Sequence, residues 1–447
     1  MPAPVYRVMH LLCTLVSTLP IGTNLGLAHL LWMLLSGALL VSRGAIIPGL
    51  STIGLPVPAV RRAWATLGQG TWTSDDLIAR LVVIVETDGR WQPHTHAGYQ
   101  PVAVDTTGFW RPRLVDCPTK HYSSVAGKAV PAVPLGLVAR VGSVQGQRVA
   151  LPLTIVRADP TDPSPQAHQR RLVQRAKAVS APDDVLVFDR GFGVALLQGE
   201  EVPAWVVRLP KNFTARRATP PAYRGRGRPP THGARVRPLS RQRKGRHIPA
   251  TPPDQVVTWT EGATTLRAEQ WHDLVLPGAG SDSGHFTVVA THDPRYTEPL
   301  LLATPLVLTP PVLRAIYRDR WPVEQLPLAA KQMLGAARQF VHAPETCQRW
   351  PELTLLAGAL LTYVAATQPA VPTGFWDRRP QPTPGRLRRV LARCVFPSDF
   401  PMPAQVREKA SVTTHLPKGN WGQRRPKKAT VSTLPVSNQA DQLPEVA

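Results

Sequence analysis

Two aspartates stand where a carboxylate could do chemistry. Asp105 follows the apolar run "VAV" and precedes "TTG", and Asp189 follows "VLVF" and precedes "RGFG". Each position is one where a buried strand gives way to a turn. A carboxylate there is costly unless a cation meets it. If the two strands are neighbours, the carboxylates converge, and a bridging divalent ion relieves their mutual repulsion. Hard oxygen donors select Mg2+ or Mn2+. Taken singly, each residue also fits a plain turn-forming aspartate that caps a strand.

A third acid, Glu324, lies in "YRDRWPVEQLPLAAK", residues 317–331, among several cations. Wound as a helix at about 100° per residue, Tyr317, Arg320, Glu324 and Lys331 fall on one narrow stripe. One face then presents a phenol, a guanidinium, a carboxylate and an ammonium together. Glu324 beside two strand-end aspartates completes a metal site, and the flanking cations would hold the phosphates of a substrate. Pro327 interrupts the pattern. Inside a helix it removes a backbone hydrogen bond at a cost of about 3 kcal/mol. The helix therefore either breaks near Trp321–Pro322 and restarts, or bends beside Glu324.

These residues need a scaffold, and the chain's texture supplies one. Residues 1–95 read as helical, with Ser74 as an N-cap before Asp75 and Asp76. "VRRAW", Val60–Trp64, is either a DNA-facing helix face or a solvated basic one. "LGLAHLLWMLLSGALLV", residues 25–41, is at the short limit for a membrane span and reads as a buried helix. Strand-like runs at 102–110, 133–143 and 147–159 precede a helix at 164–179 and strands at 185–188 and 204–212. Further strand-like runs occupy 255–304, and 351–366 reads as an apolar core helix. This is an α/β pattern, a mixed sheet flanked by helices. Four widely spaced cysteines, Cys13, Cys117, Cys347 and Cys394, form no zinc-type cluster and read as free thiols.

Charge narrows the partner. The chain has 447 residues and a net charge of +23, from 52 Lys and Arg against 29 Asp and Glu. Such a field attracts polyanions, nucleic acid first. Residues 202–253 hold 13 Lys and Arg and no acid. Their Gly- and Pro-rich centre contains Arg224, Arg226 and Arg228. That loop is either a phosphate-tracking element or a solvated one, and the charge elsewhere favours DNA contact. The tail after about 396 is basic, polar and Pro-rich, which reads as disordered or ordered by DNA.

The spacing Y-x2-R-x3-E-x6-K at Tyr317, Arg320, Glu324 and Lys331 resembles the signature of the IS4-type DDE transposases of insertion sequences. Asp105 in "VDTTG" and Asp189 in "FDRGFG" match the first two acidic positions. The resemblance spans about 100–340. It implies an RNase H-like mixed sheet flanked by helices and interrupted by a β-rich insertion, with a helical N-terminal DNA-binding region. The implied organisation is 1–95 for that region, 96–212 for the first part of the core, 213–308 for the insertion, 309–395 for the glutamate helix and following helices, and 396–447 for the tail. It also implies two Mg2+ ions, replaceable by Mn2+, bridged by Asp105 and held separately by Asp189 and Glu324. Tyr317, Arg320 and Lys331 would grip phosphates near the transposon end. Trp321 would stack on a displaced base or, more commonly for a tryptophan, pack in the core. The implied partners are double-stranded terminal repeats, target DNA and a second copy of the chain, in a bacterial cytoplasm at the nucleoid and away from membranes. A nuclease that cuts without joining, and an inactive DNA-binding copy, are the rival readings.

Overall fold

A computed structural model describes residues 2–162, 164–223, 225, 229–278, 284–372, 374–392 and 394–409. Arg224, Arg226 and Arg228 lie outside the described residues, as does most of the basic tail.

Gln100–Trp110 is the strand from which the site is built. It pairs antiparallel with Lys128–Val144, which pairs antiparallel with Gln147–Arg157. On its other side it pairs in parallel with Asp184–Phe188, which pairs in parallel with Trp205–Arg208. Three antiparallel strands followed by two parallel ones give a mixed sheet flanked by helices, consistent with an RNase H-like fold. The sheet continues further. Leu300–Thr304 pairs antiparallel with Trp205–Arg208, and Phe286–His292 and Thr264–Val275 follow it outward.

Period-two alternation assigns the two faces. Val102, Val104, Val138, Leu186 and Phe188 pack beneath the helix Pro165–Val179 through Leu172, Val173 and Ala176. Gly136 lets that helix approach closely, since a Cβ there would lie 2.6 Å from the Leu172 side chain. The opposite face carries Ala103, Leu135, Leu137 and Phe109. It joins the N-terminal helices and the long helix Pro344–Thr367 in one core. Val185 and Val187, also on this side, pack against Leu313 and Ile316 of the helix Pro310–Arg318.

The N-terminal region is helical, through Ala3–Val16, Thr23–Leu35, Ala38–Val41, Ile46–Thr52, Val57–Gln69 and Ser74–Asp88. The apolar segment is largely buried as expected, with Leu40 and Val41 exposed at its end, but it is not one helix. Its winding stops after Leu35, and Gly37 adopts a left-handed conformation (φ 74°) before Ala38–Val41 resumes. Among the described residues no helix is long and apolar enough to cross a membrane. On Val57–Gln69, Val60 and Ala63 face the core while Arg61 and Trp64 are exposed. The cap of Ser74–Asp88 is Thr73 rather than Ser74: the Thr73 hydroxyl accepts from the Asp76 amide at 3.1 Å. The long apolar helix begins at Pro344, ahead of its strongly apolar part, because Thr346, Cys347 and Trp350 are also buried. All four cysteines are free thiols.

Candidate active site

Parallel pairing sets the two aspartates side by side. Val104 is in register with Phe188, and the next residue on each chain is Asp105 and Asp189 respectively. Only Asp189 ends its strand as expected, whereas Asp105 lies mid-strand, because pairing with Lys128–Val144 carries its strand on to Trp110. Alternation along Gln100–Trp110 then places Asp105, Thr107 and Phe109 on the face opposite the helix Pro165–Val179. Across that face run Pro310–Arg318 and the residues that follow it.

The run 317–331 is not a uniform helix. The α-helix ends at Arg318, Trp321–Glu324 tighten into a 3-10 turn, Gln325–Leu328 return to α winding, and Ala329–Met333 widen into a π turn. Pro322 enters the tight turn, where no amide is needed, and Pro327 has none to donate to the carbonyl four residues earlier. The chain adapts its pitch on both sides of Pro327 and stays in right-handed winding, with φ −67° and ψ −21° at Glu324. A 3-10 turn rotates more per residue than an α-helix and a π turn less, so the two deviations offset. The Tyr317, Arg320, Glu324 and Lys331 side chains all still reach strand Gln100–Trp110 or the residues beside it.

Arg320 is the hub. Its guanidinium donates to Asp105 Oδ2 at 3.2 Å and to Glu324 Oε1 through a short contact, and it lies 5.8 Å from the centre of the Tyr317 ring. The Tyr317 hydroxyl donates to Asp189 Oδ1 at 3.3 Å. One cation thus draws Asp105 and Glu324 together, and the neighbouring phenol holds Asp189. Lys331 sits at the other end of the stripe. It donates to Thr107 Oγ1 at 2.7 Å and lies 4.7 Å and 5.0 Å from the ring centres of Trp110 and Phe109.

Burial governs the charge states. It pushes the Asp105 carboxyl up to about 6, assisted by the nearby Glu324 and Asp189 and opposed by Arg320 and the Thr106 amide. Burial pushes the Lys331 ammonium down to about 8, against the pull of Asp105. It also raises the Tyr317 phenol. Arg320, only 8% exposed, would lose basicity by burial, but the surrounding carboxylates more than restore it.

The chemistry of the donors suits a divalent metal, although Asp105, Asp189 and Glu324 do not stand within 4.8 Å of one another as a preformed cluster. Asp105 and Glu324 already share one cationic group, and hard carboxylate oxygens are what Mg2+ and Mn2+ require. Glu324 and Asp105 keep part of their side-chain surface open, at 38% and 23%. Trp321 is 54% exposed and so is not a core residue: the 3-10 turn buries Pro322 and Val323 and turns Trp321 outward.

Residues 59–277 match the family described as DDE superfamily endonuclease. The match includes Asp105 and Asp189, covers just under half of the chain, and ends before Glu324. It supports a DDE-type endonuclease or transposase. No curated protein matches the chain.

A second polar group does not stand out in the sequence. His94, His96 and Asp319, the residue before Arg320, converge with their ligand atoms within 4.8 Å of one another. The His-x-His spacing in "PHTHAG" is its visible signal. The acid it meets lies 225 residues from His94, which the spacing does not reveal.

Proposed function

We propose that this chain is a cut-and-paste DNA transposase of the IS4 type, with Asp105, Asp189 and Glu324 as its catalytic and metal-binding carboxylates. The observation that carries the reading is the convergence itself. Asp105, in the middle of its strand, and Asp189, just past the end of the adjoining parallel strand, lie at neighbouring positions, and Arg320 joins Asp105 to Glu324. The match to DDE endonucleases and the charge of +23 support a DNA substrate.

Two Mg2+ ions bound at these carboxylates, or Mn2+ in their place, would supply an activated water or DNA 3′-hydroxyl and a stabilised leaving oxygen. The chain's own residues prepare that chemistry. Asp105, Asp189 and Glu324 would hold the ions. Arg320 holds Asp105 and Glu324 together in the free protein, and its five donors suit a phosphate once those carboxylates are otherwise engaged. Tyr317 orients Asp189 and offers a hydroxyl at the same edge. Lys331, fixed by Thr107 and two aromatic rings, contributes a cation further along the strand. Exposed Trp321 is placed to stack on an unpaired base. Residues 1–95, the basic segment 213–308 and the tail 396–447 supply further DNA contact in this reading, and two copies of the chain act on paired transposon ends.

The test is Glu324→Gln with donor-end cleavage assayed in Mg2+. Loss of nicking with retained DNA binding is expected. Retained nicking would refute the carboxylate assignment. Joining of the released 3′ end to target DNA separates a transposase from a nuclease that only cuts.

A further inference from the structure

We propose that His94, His96 and Asp319 form a binding site for a divalent transition metal of the Zn2+ class, separate from the carboxylate site. His94 Nδ1 lies 2.8 Å and His96 Nε2 lies 2.7 Å from the same oxygen, Asp319 Oδ2. The three donor atoms all lie within 4.8 Å of one another. Donors around tetrahedral zinc stand about 3.3 Å apart, given metal–ligand distances near 2 Å. Small side-chain shifts therefore suffice to admit an ion.

The setting of Asp319 explains why a cation belongs there. Its side chain is 2% exposed, and it ends the helix Pro310–Arg318, where the helix dipole already disfavours negative charge. A buried carboxylate at a helix C-terminus is stable only against strong positive partners. Burial disfavours its charge, and the two imidazoles and the Arg148 guanidinium are the groups that face it. The imidazoles come from a backbone fixed on both sides: the His94 amide donates to Val141 O at 3.0 Å, and His96 pairs with Tyr99. The three groups line an open cavity of about 350 Å³, which leaves room for a water or anion as the fourth ligand. Arg148 and Arg318 line the same cavity, and Arg148 Nε stands 3.5 Å from the other Asp319 oxygen. They oppose cation binding and favour an anionic fourth ligand. Arg148 is 42% exposed and free to turn outward.

Two imidazoles and one carboxylate suit zinc and its neighbours, whereas the three carboxylates around Arg320 suit Mg2+. The two sites thus differ in metal preference. An ion here would tie the segment before strand Gln100–Trp110 to the residue immediately preceding Arg320.

The experiment titrates Zn2+ and Co2+ into the full chain with Asp105 and Asp189 replaced by Asn and Glu324 by Gln, so that the carboxylate site cannot contribute. One Zn2+ per chain is expected, with Co2+ giving the visible absorption of a low-coordinate site and Zn2+ raising the melting temperature. His94→Ala and His96→Ala in the same background should each weaken binding by at least about tenfold and abolish the melting shift. Absence of Zn2+ binding in the parent, or unchanged binding in the histidine variants, overturns the proposal. Should an alanine variant fail to melt cooperatively, Zn2+ protection of the parent's histidines against diethylpyrocarbonate decides the matter instead: His94 and His96 protected upholds the site, unprotected overturns it.

Discussion

Replacing Asp105 by Asn should stabilise the metal-free protein at neutral pH while removing its activity. Burial raises this carboxyl from 3.8 to about 6. A folded value above the unfolded one means that the folded chain holds the proton more tightly. The resulting stability is full below about pH 4 and is lost as pH rises through about 6. Above that, keeping the ionised carboxylate in place costs about 3 kcal/mol, from a rise of roughly two units at 1.36 kcal/mol each. Asparagine carries no such cost, and its oxygen can still accept from the Arg320 guanidinium, which also retains Glu324. Urea denaturation in chelator should therefore show the variant more stable than the parent by up to about 3 kcal/mol at a pH of about 8, with the gap closing near pH 4. Added Mg2+ should stabilise the parent and not the variant. A variant that is less stable at both pH values would refute the reasoning, since it would show that the Asp105–Arg320 pair outweighs desolvation.

Other perturbations follow from the same geometry. DNA affinity should fall as pH rises through about 8, where the Lys331 ammonium is lost, and Lys331→Ala should bind more weakly and lack that fall; fluorescence anisotropy across the range checks this. Replacing Arg224, Arg226 and Arg228 by Ala should flatten the salt dependence of DNA binding by about 0.9 in log–log slope per lost phosphate contact, and an unchanged slope would mark the loop as merely solvated. Gly136→Ala should destabilise by about 1–3 kcal/mol in urea, because its Cβ would press on Leu172 in a filled layer.

Much of the site is legible in the sequence because acids beside apolar strand runs are costly and therefore conspicuous, even though Asp105 proves to lie mid-strand. Asp105 and Asp189 stand out for that reason, but their adjacency depends on strand pairing, which short-range pattern does not encode. The stripe of Tyr317, Arg320, Glu324 and Lys331 is readable from helical periodicity even though the winding is not uniform. Pro327 announces the irregularity without saying how it is absorbed, and a 3-10 turn followed by a π turn is one of several backbone solutions. Trp321 departs from expectation because side-chain size favours the core while the local turn decides direction. Ser74 lies one residue past the true cap, within the ordinary uncertainty of helix ends. The segment 25–41 is apolar and largely buried, as its composition demands, but composition does not reveal the left-handed break at Gly37. His94 and His96 meet Asp319 only through the fold.

The continuity of the sheet sets how much of the chain each carboxylate depends on. Asp105 and Asp189 can come together once the strands Gln100–Trp110 and Asp184–Phe188 pair, an event confined to the first half of the chain. Glu324 reaches them by a longer route, through Phe286–His292 and Leu300–Thr304 on the edge at Trp205–Arg208 and Pro310–Arg318 packed on Val185 and Val187. Contacts of such long sequence separation form slowly. A chain that ends before residue 324 would carry two of the carboxylates but lack both Glu324 and the buried helix Pro344–Thr367, leaving open the core on the face of the sheet that bears Asp105.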